Sequence, residues 1–166
     1  AQKNMGPAGA TLVVVKDDVL GKVFRKIPSM LDYQVHISKD SMFNTPPVFA
    51  VYTSMLTLEW LKNLGGIAAI EEINEKKARL LYSEIDLNPV FEGFANVEDR
   101  SLMNATFNLT DDVLKTTFES LLKEAGINGL NGHRSVGGYR ASMYNALSLE
   151  SVGVLVDVMS EMERRG

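Results

Sequence analysis

Residues 46–64 place Val48, Phe49, Val51, Tyr52, Met55, Leu56, Leu58, Trp60 and Leu61 around nearly every side of a helix. A helix apolar almost all round has to be covered on most of its faces, which rules out a free surface position. Gly65-Gly66 stops it. A second helix is expected over 67–85, with Ile70, Ile73, Leu80 and Leu81 set against the charged Glu71, Glu72, Glu75, Lys76 and Lys77. The change from buried to amphipathic marks the expected domain boundary, with the end of one domain in 1–70, a small domain in 71–166 and the second helix bridging them.

The entrance to the first helix is Ser-Met-Phe-Asn-Thr-Pro-Pro at 41–47. Thr45 is expected to act as N-cap, with Pro46 and Pro47 in the first turn, where a missing N–H costs nothing. An anion held at this end would lean on side chains, Asn44 and Thr45 first, because two prolines remove two backbone donors. Upstream, Gly6-Pro7 breaks the chain before the run Ala-Thr-Leu-Val-Val-Val at 10–15, a candidate buried strand. A short helix or extended turn is expected over 19–26. A core strand entered so soon, three residues after a lone lysine and with no partner before it, gives the chain a truncated look.

Past Asn88-Pro89, residues 102–109 alternate Met103, Ala105, Phe107 and Leu109 with Leu102, Asn104, Thr106 and Asn108, one core face and one mixed face. Thr110 is the expected cap of a helix with Leu114, Phe118, Leu121, Leu122 and Ala125 in one stripe, ended by Gly126. A short strand is expected from 126–130. Ser148 caps a last helix with Leu149, Val152, Leu155, Val156, Met159 and Met162 inward. Helix, strand, helix, strand, strand, helix describes a small two-layer α/β domain.

The densest chemistry lies at 132–142, Gly-His-Arg-Ser-Val-Gly-Gly-Tyr-Arg-Ala-Ser. Its glycines permit positive φ or close approach to a ligand, and Gly137-Gly138 signals a turn before the alternating run 139–144. Arg140, Ser142 and Tyr144 share one face of that run, and Tyr139, Ala141 and Met143 the other. Guanidinium groups pair two-pronged with carboxylate and phosphate oxygens, so Arg134 and Arg140 beside His133 suit a small ligand with two anionic ends. Surface ion pairing is the plainer alternative for the two arginines.

Composition narrows the partners. A net charge of -4 offers no basic face for nucleic acid. No apolar run approaches the ~18 residues needed to cross a bilayer. The chain has no cysteine, hence no disulfide or thiolate site, and His36 and His133 lie too far apart in sequence to suggest a metal centre. With no charged-then-apolar leader at its start, a cytoplasmic setting is expected.

Four segments, Ala-Gln-Lys-Asn at 1–4, residues 41–47, 132–140 and Ala-Ser-Met-Tyr-Asn-Ala at 141–146, together resemble the phosphoserine aminotransferase family of class V aminotransferases, in order and over essentially the whole chain. The resemblance implies an α/β architecture, the type I fold of pyridoxal-phosphate enzymes, with the C-terminal part of the large domain followed by the small domain. It implies a homodimer with shared active sites that transfers an amino group from glutamate to 3-phosphohydroxypyruvate. Lys3 would form the Schiff base with pyridoxal 5'-phosphate, with Gln2 beside it. Asn44 and Thr45 would reach the cofactor phosphate of the neighbouring subunit. His133 and Arg134 would take the substrate phosphate, and Arg140 its α-carboxylate.

The family's chain is about twice this long by the same resemblance, and its first half supplies the aromatic stacked on the cofactor ring and the aspartate at the pyridine nitrogen. The chain alone is therefore expected to be inactive. Two other readings stay open: a free-standing domain with a non-catalytic anion-binding or scaffolding role, and an aminotransferase for another oxo acid.

Overall fold

The computed structural model describes residues 2–134 and 137–165, so Ala1, and Ser135 and Val136 of the glycine-rich motif, lie outside the described residues. The chain divides into two compact units, Ala1–Trp60 and Leu61–Gly166.

In the first unit, α1 spans Tyr33–Ile37 and is capped by the Asp32 carboxylate, which accepts from Gln34 N–H. Helix α2 spans Val48–Asn63. Pro47 precedes it and its carbonyl accepts the first helical bond from Val51 N–H at 3.1 Å, so both prolines lie outside the helix and Thr45 is not its cap. The run 10–15 is no strand. It is irregular, and Leu12 and Val14 are 68% and 88% exposed, because a strand takes its hydrogen bonds from another strand and this unit holds none among the described residues. A 3-10 turn at Asp17–Val19 is all the helix found near 19–26.

Helix α2 itself departs furthest from expectation. Ala50 is its one buried residue among the described residues, while Phe49, Val48 and Tyr52 are 78%, 67% and 55% exposed. The apolar surface is present as expected; the sixty residues of this unit are too few to cover it.

The second unit is two-layered. Helix α3 (Gly66–Leu87), α4 (Lys115–Glu124) and α5 (Leu149–Arg165) accompany an antiparallel sheet of β1 (Phe91–Gly93), β2 (Asn104–Leu109) and β3 (Tyr139–Ser142), in that order. Residues Ala105, Phe107, Tyr139, Ala141 and Met143 all point into the core with Leu81, Phe118, Val152, Leu155 and Met159. Four rings close its centre: Phe118 lies edge-on to Phe91 and Tyr139 at 5.1 and 5.0 Å, and Phe107 stacks on Tyr139 at 5.6 Å. The Tyr139 hydroxyl is buried without a hydrogen-bond partner, and burial, with lesser effects from Glu119 and Asp112, pushes its pKa up to about 12.

Several local expectations change here. Strand β1 arises where no element was expected, pairing Phe91 with Leu109 and Gly93 with Phe107. The expected strand at 126–130 is reduced to one bridge between Asn131 and Tyr139, since Gly126 and Gly129 both turn the backbone to positive φ. Asp111 rather than Thr110 caps the turn leading into α4, accepting from Val113 N–H. Thr110 is drawn away because its hydroxyl donates to the carbonyls of Pro89 and Val90. Ser148 does cap α5, its Oγ accepting from Ser151 N–H.

The largest correction on α3 is Lys77. Placed by its charge on the outer face, it is fully buried, with its ammonium donating to three carbonyls, and burial lowers its pKa from the usual lysine value. Its spacing carried the signal: Ile70, Asn74, Lys77, Leu81 and Ile85 recur at steps of three and four and are all buried.

Candidate functional site

In the first unit Gln2 and Lys3 are exposed, at the start of a turn closed by Gly6 N–H donating to Lys3 O at 3.3 Å. This segment is laid on α2 by glycine. A Cβ on Gly6 would stand 2.7 Å from Ser54 Oγ and one on Gly9 2.9 Å from the Ala50 methyl, and both have positive φ. The backbone therefore runs back along α2 from its second turn to its first, at a closeness that side chains at 6 and 9 would prevent. Asn44 and Thr45 stand just before that helix, both exposed, with Asn44 Nδ2 donating to Thr45 O at 3.1 Å. His36 is used structurally: its Nε2 is 3.0 Å from Met30 O and its ring lies edge-on to Phe43.

In the second unit Gly132 and His133 are drawn against Gly137 and Gly138. Gly132 N–H donates to Gly138 O, and Gly137 N–H to His133 O, both at 2.8 Å. Gly137 and Gly138 have φ of +80° and +61°, and a Cβ on Gly132 would collide with Gly137 O. His133 and Arg134 are exposed, and Gly138 delivers the chain into β3.

Strand β3 alternates as expected, with Tyr139 and Ala141 buried and Arg140 and Ser142 exposed. Arg140 is fixed through its backbone, its N–H donating to Leu130 O at 2.6 Å, and it lies opposite Thr106 of β2. Ion pairs among the described residues engage Lys76, Arg79, Arg100, Arg164 and Arg165, but neither Arg134 nor Arg140. Among the described residues, surface ion pairing of these two arginines finds no carboxylate partner. A cavity of about 390 Å3 opens beside Arg140, bordered also by Ser142, Asn128, Leu130, Ser151 and Leu155.

Sequence reasoning missed the polar group on this face. Ser142 Oγ and Tyr144 OH both donate to Asn104 Oδ1, at 3.3 and 3.4 Å. The mixed face of 102–109 held the hint, but that Asn104 falls opposite Ser142 depends on the register between β2 and β3. Chemically, the second unit offers arginines and a histidine for anions, and the first offers an exposed primary amine with amide and hydroxyl donors. That donor set fits an aldehyde cofactor carrying a phosphate: an amine to hold its carbonyl carbon, and Asn44 and Thr45 for phosphate oxygens.

The chain belongs to the class V aminotransferase family, which it matches over residues 1–155. Its mixed helix and sheet architecture is the type I α/β fold of the pyridoxal-phosphate enzymes.

Among its relatives, the phosphoserine aminotransferases of Flavobacterium psychrophilum and Flavobacterium johnsoniae are 67% and 66% identical over 165 residues, 99% of this chain. The chain spans 46% of the length of each. A solved phosphoserine aminotransferase, studied for radiation damage of its Schiff base, superposes with a TM-score of 0.91 at 46% identity, covering 99% of this chain and 46% of that one. The pyridoxal-phosphate-bound phosphoserine aminotransferase of Trichomonas vaginalis matches at 36% identity with a TM-score of 0.73, over 81% of this chain and 39% of its own. Among the described residues no helix is long and apolar enough to cross a membrane, and no cluster of three or more acidic, histidine or cysteine side chains could hold a metal.

Proposed function

We propose that this chain is part of a phosphoserine aminotransferase that moves an amino group from glutamate to 3-phosphohydroxypyruvate, giving O-phosphoserine and 2-oxoglutarate. The reading is supported foremost by 67% identity over 99% of the chain to such an enzyme. The covered length, 46% of that relative, and the bare apolar surface of α2 support a further statement: the active enzyme includes a segment corresponding to the rest of the relatives' length, which covers α2. In this reading 1–70 completes a large cofactor-binding domain and 71–166 forms the small domain, and two copies share their active sites in the cytoplasm.

Pyridoxal phosphate, when bound, supplies an electron sink for the substrate's α-carbon. Lys3 holds it through Nζ, and the same amine then takes and returns the substrate's α-proton. Gln2 orients the group from the neighbouring position, while Asn44 and Thr45 donate to the phosphate of the cofactor held in the neighbouring subunit. Arg140 binds the substrate α-carboxylate as a two-pronged donor from a rigid strand. His133 and Arg134 bind the substrate phosphate, the backbone bond between Gly132 and Gly138 holding both near the entrance to β3.

The full-length protein, assayed with glutamate and a panel of phosphorylated and unphosphorylated oxo acids, tests the reading. Transamination should be robust with 3-phosphohydroxypyruvate. Replacing Arg140 should weaken all amino and oxo acids, and replacing His133 only the phosphorylated ones. The 166-residue chain alone should neither retain the cofactor through gel filtration nor turn over. A full-length protein that ignores phosphorylated oxo acids, or a His133 variant that weakens every substrate equally, would sink the assignment.

A further inference from the structure

Lys77 heads the fully buried side chains by volume, at 0% exposure, and the proposed reaction does not use it. Its Nζ donates to the carbonyls of Met143, Tyr144 and Leu147 at 3.2, 3.0 and 3.0 Å, one acceptor for each N–H of an ammonium. All three belong to the connection from the end of β3 to Ser148, the cap of α5. Asn74, one turn earlier on the same face of α3 and 3% exposed, adds a bond from Nδ2 to Asn145 Oδ1 at 2.9 Å. Two polar side chains withdrawn from water on one helix face thus grip one turn.

That turn begins immediately after the strand bearing Arg140. Upstream, the strand is held by Arg140 N–H on Leu130 O; downstream, Met143 N–H donates to Met103 O and Met143 O is taken by Lys77. Tyr144, whose carbonyl the same ammonium holds, sends its hydroxyl to Asn104 Oδ1, the acceptor it shares with Ser142 on Arg140's face. Desolvating an ammonium is costly, and a core needing only volume at this point would be filled by leucine or methionine. A short edge strand with one end tethered by a single fixed charge gains a defined height above the helices, and with it a defined direction for its exposed side chains.

We propose that Lys77, assisted by Asn74, is a positioning residue: by fixing the turn 143–147 it aims Arg140 at the substrate carboxylate. The proposal rests on the reading of Arg140 as carboxylate ligand, and its test has one arm that does not.

In the full-length enzyme, Lys77→Met should raise KM for glutamate and for the phosphorylated oxo acid about tenfold, because a displaced binding group costs affinity for both substrates. The kcat should stay within about threefold of wild type and the bound cofactor's absorbance unchanged. Should Lys77→Met fail to fold, Asn74→Ala, which leaves the ammonium in place, carries the test with a KM rise of about threefold. A KM unchanged within about twofold alongside a lowered Tm would show Lys77 to be a structural cap and overturn the proposal. In the second arm, hydrogen exchange at 139–142 is followed in the 166-residue chain, where Lys77→Met or Asn74→Ala should accelerate it about tenfold. Unchanged exchange there refutes the clamp whatever the reaction. Accelerated exchange in a protein whose full-length form transaminates nothing would retain the clamp on β3 and refute its catalytic purpose.

Discussion

Helices α2 and α5 are nearly equal in length, sixteen and seventeen residues, and both are rich in apolar side chains, yet α5 buries five of its described residues and α2 one. The difference lies in how the apolar residues are spaced. In α5, Val152, Leu155, Met159 and Met162 fall on one stripe, which one layer of sheet and two neighbouring helices can cover. In α2 they lie on all sides, so no single layer suffices, and the unit that carries it provides no sheet among the described residues. A periodic stripe is satisfied by near neighbours in the chain; an apolar surface without a period asks for more protein than one small unit contains. The second unit is thus closed on itself, and the first presents a face.

In the proposed function the covalent chemistry falls to the first unit while the closed core lies in the second, and the sharpest way to break that contrast is Lys3→Ala in the full-length protein. Turnover should fall by at least about 10^3-fold, as removal of a covalent catalytic group does, with loss of the borohydride-fixed chromophore at residue 3. The unfolding midpoint of the second unit should not move. Residual turnover near wild type would remove Lys3 from the mechanism and leave the first unit without its chemistry.

Next in size are two phenylalanines. Phe118 is 0% exposed and touches two rings of the core, whereas Phe49 is 78% exposed on α2. In the 166-residue chain, Phe118→Ala should cost about 3–5 kcal/mol in urea unfolding. Phe49→Ala should cost within about 0.5 kcal/mol. Repeating the pair in the full-length protein sharpens the contrast, since a covered α2 should make Phe49→Ala costly too. If it stays neutral there, the helix is not covered by the rest of the enzyme.

These two units also differ in how much could be read from their residues. In the second, alternation at 139–144 told which side chains enter the core, because a strand's period is two whatever its partners. Ser148 marked the start of α5 through its own chemistry. Where the outcome depended on another segment, the residues were silent. The run 10–15 has strand composition but, among the described residues of its unit, no strand to bond, and the shared acceptor at Asn104 is created by the pairing of β2 with β3. The charge of Lys77 points to solvent while its spacing with Ile70, Asn74, Leu81 and Ile85 points inward, and the three carbonyl acceptors that settle the matter come from a segment distant in sequence. For the site, Arg140 and its exposed face were legible, while the two backbone bonds that draw Gly132 and His133 against Gly137 and Gly138 were visible only as glycine density.

A smaller effect of opposite sign is expected at Tyr139. Its hydroxyl is buried without a partner, so the folded state leaves a donor unmet that water satisfies in the unfolded chain. Tyr139→Phe keeps the stacking on Phe107 and the edge contact with Phe118, and should stabilise the second unit by about 1 kcal/mol in urea unfolding. A destabilisation instead would mean that the hydroxyl is hydrogen-bonded in solution.

The smallest expected effect belongs to Asp86, whose two oxygens accept from Arg100 at 2.6 Å each while the guanidinium lies over the Tyr82 ring, 4.6 Å from its centre. The hydrogen bonds from Arg100 hold the Asp86 carboxyl below the ordinary aspartate value. A depressed carboxyl stabilises the fold at any pH above the unfolded value of about 4, and that contribution disappears as pH falls through the lower folded value. Asp86 is 46% exposed, so water and salt screen the pair and the contribution should stay below about 1 kcal/mol. Urea midpoints of wild type and Asp86→Asn should therefore differ slightly at pH 7 and draw together as the pH falls below about 4 and on through the lower folded value. A gap that persists unchanged into acid would show that the pair acts through packing of Arg100 on Tyr82, independent of the carboxylate's charge, and the acid sensitivity of the closed unit would then have to reside elsewhere in it.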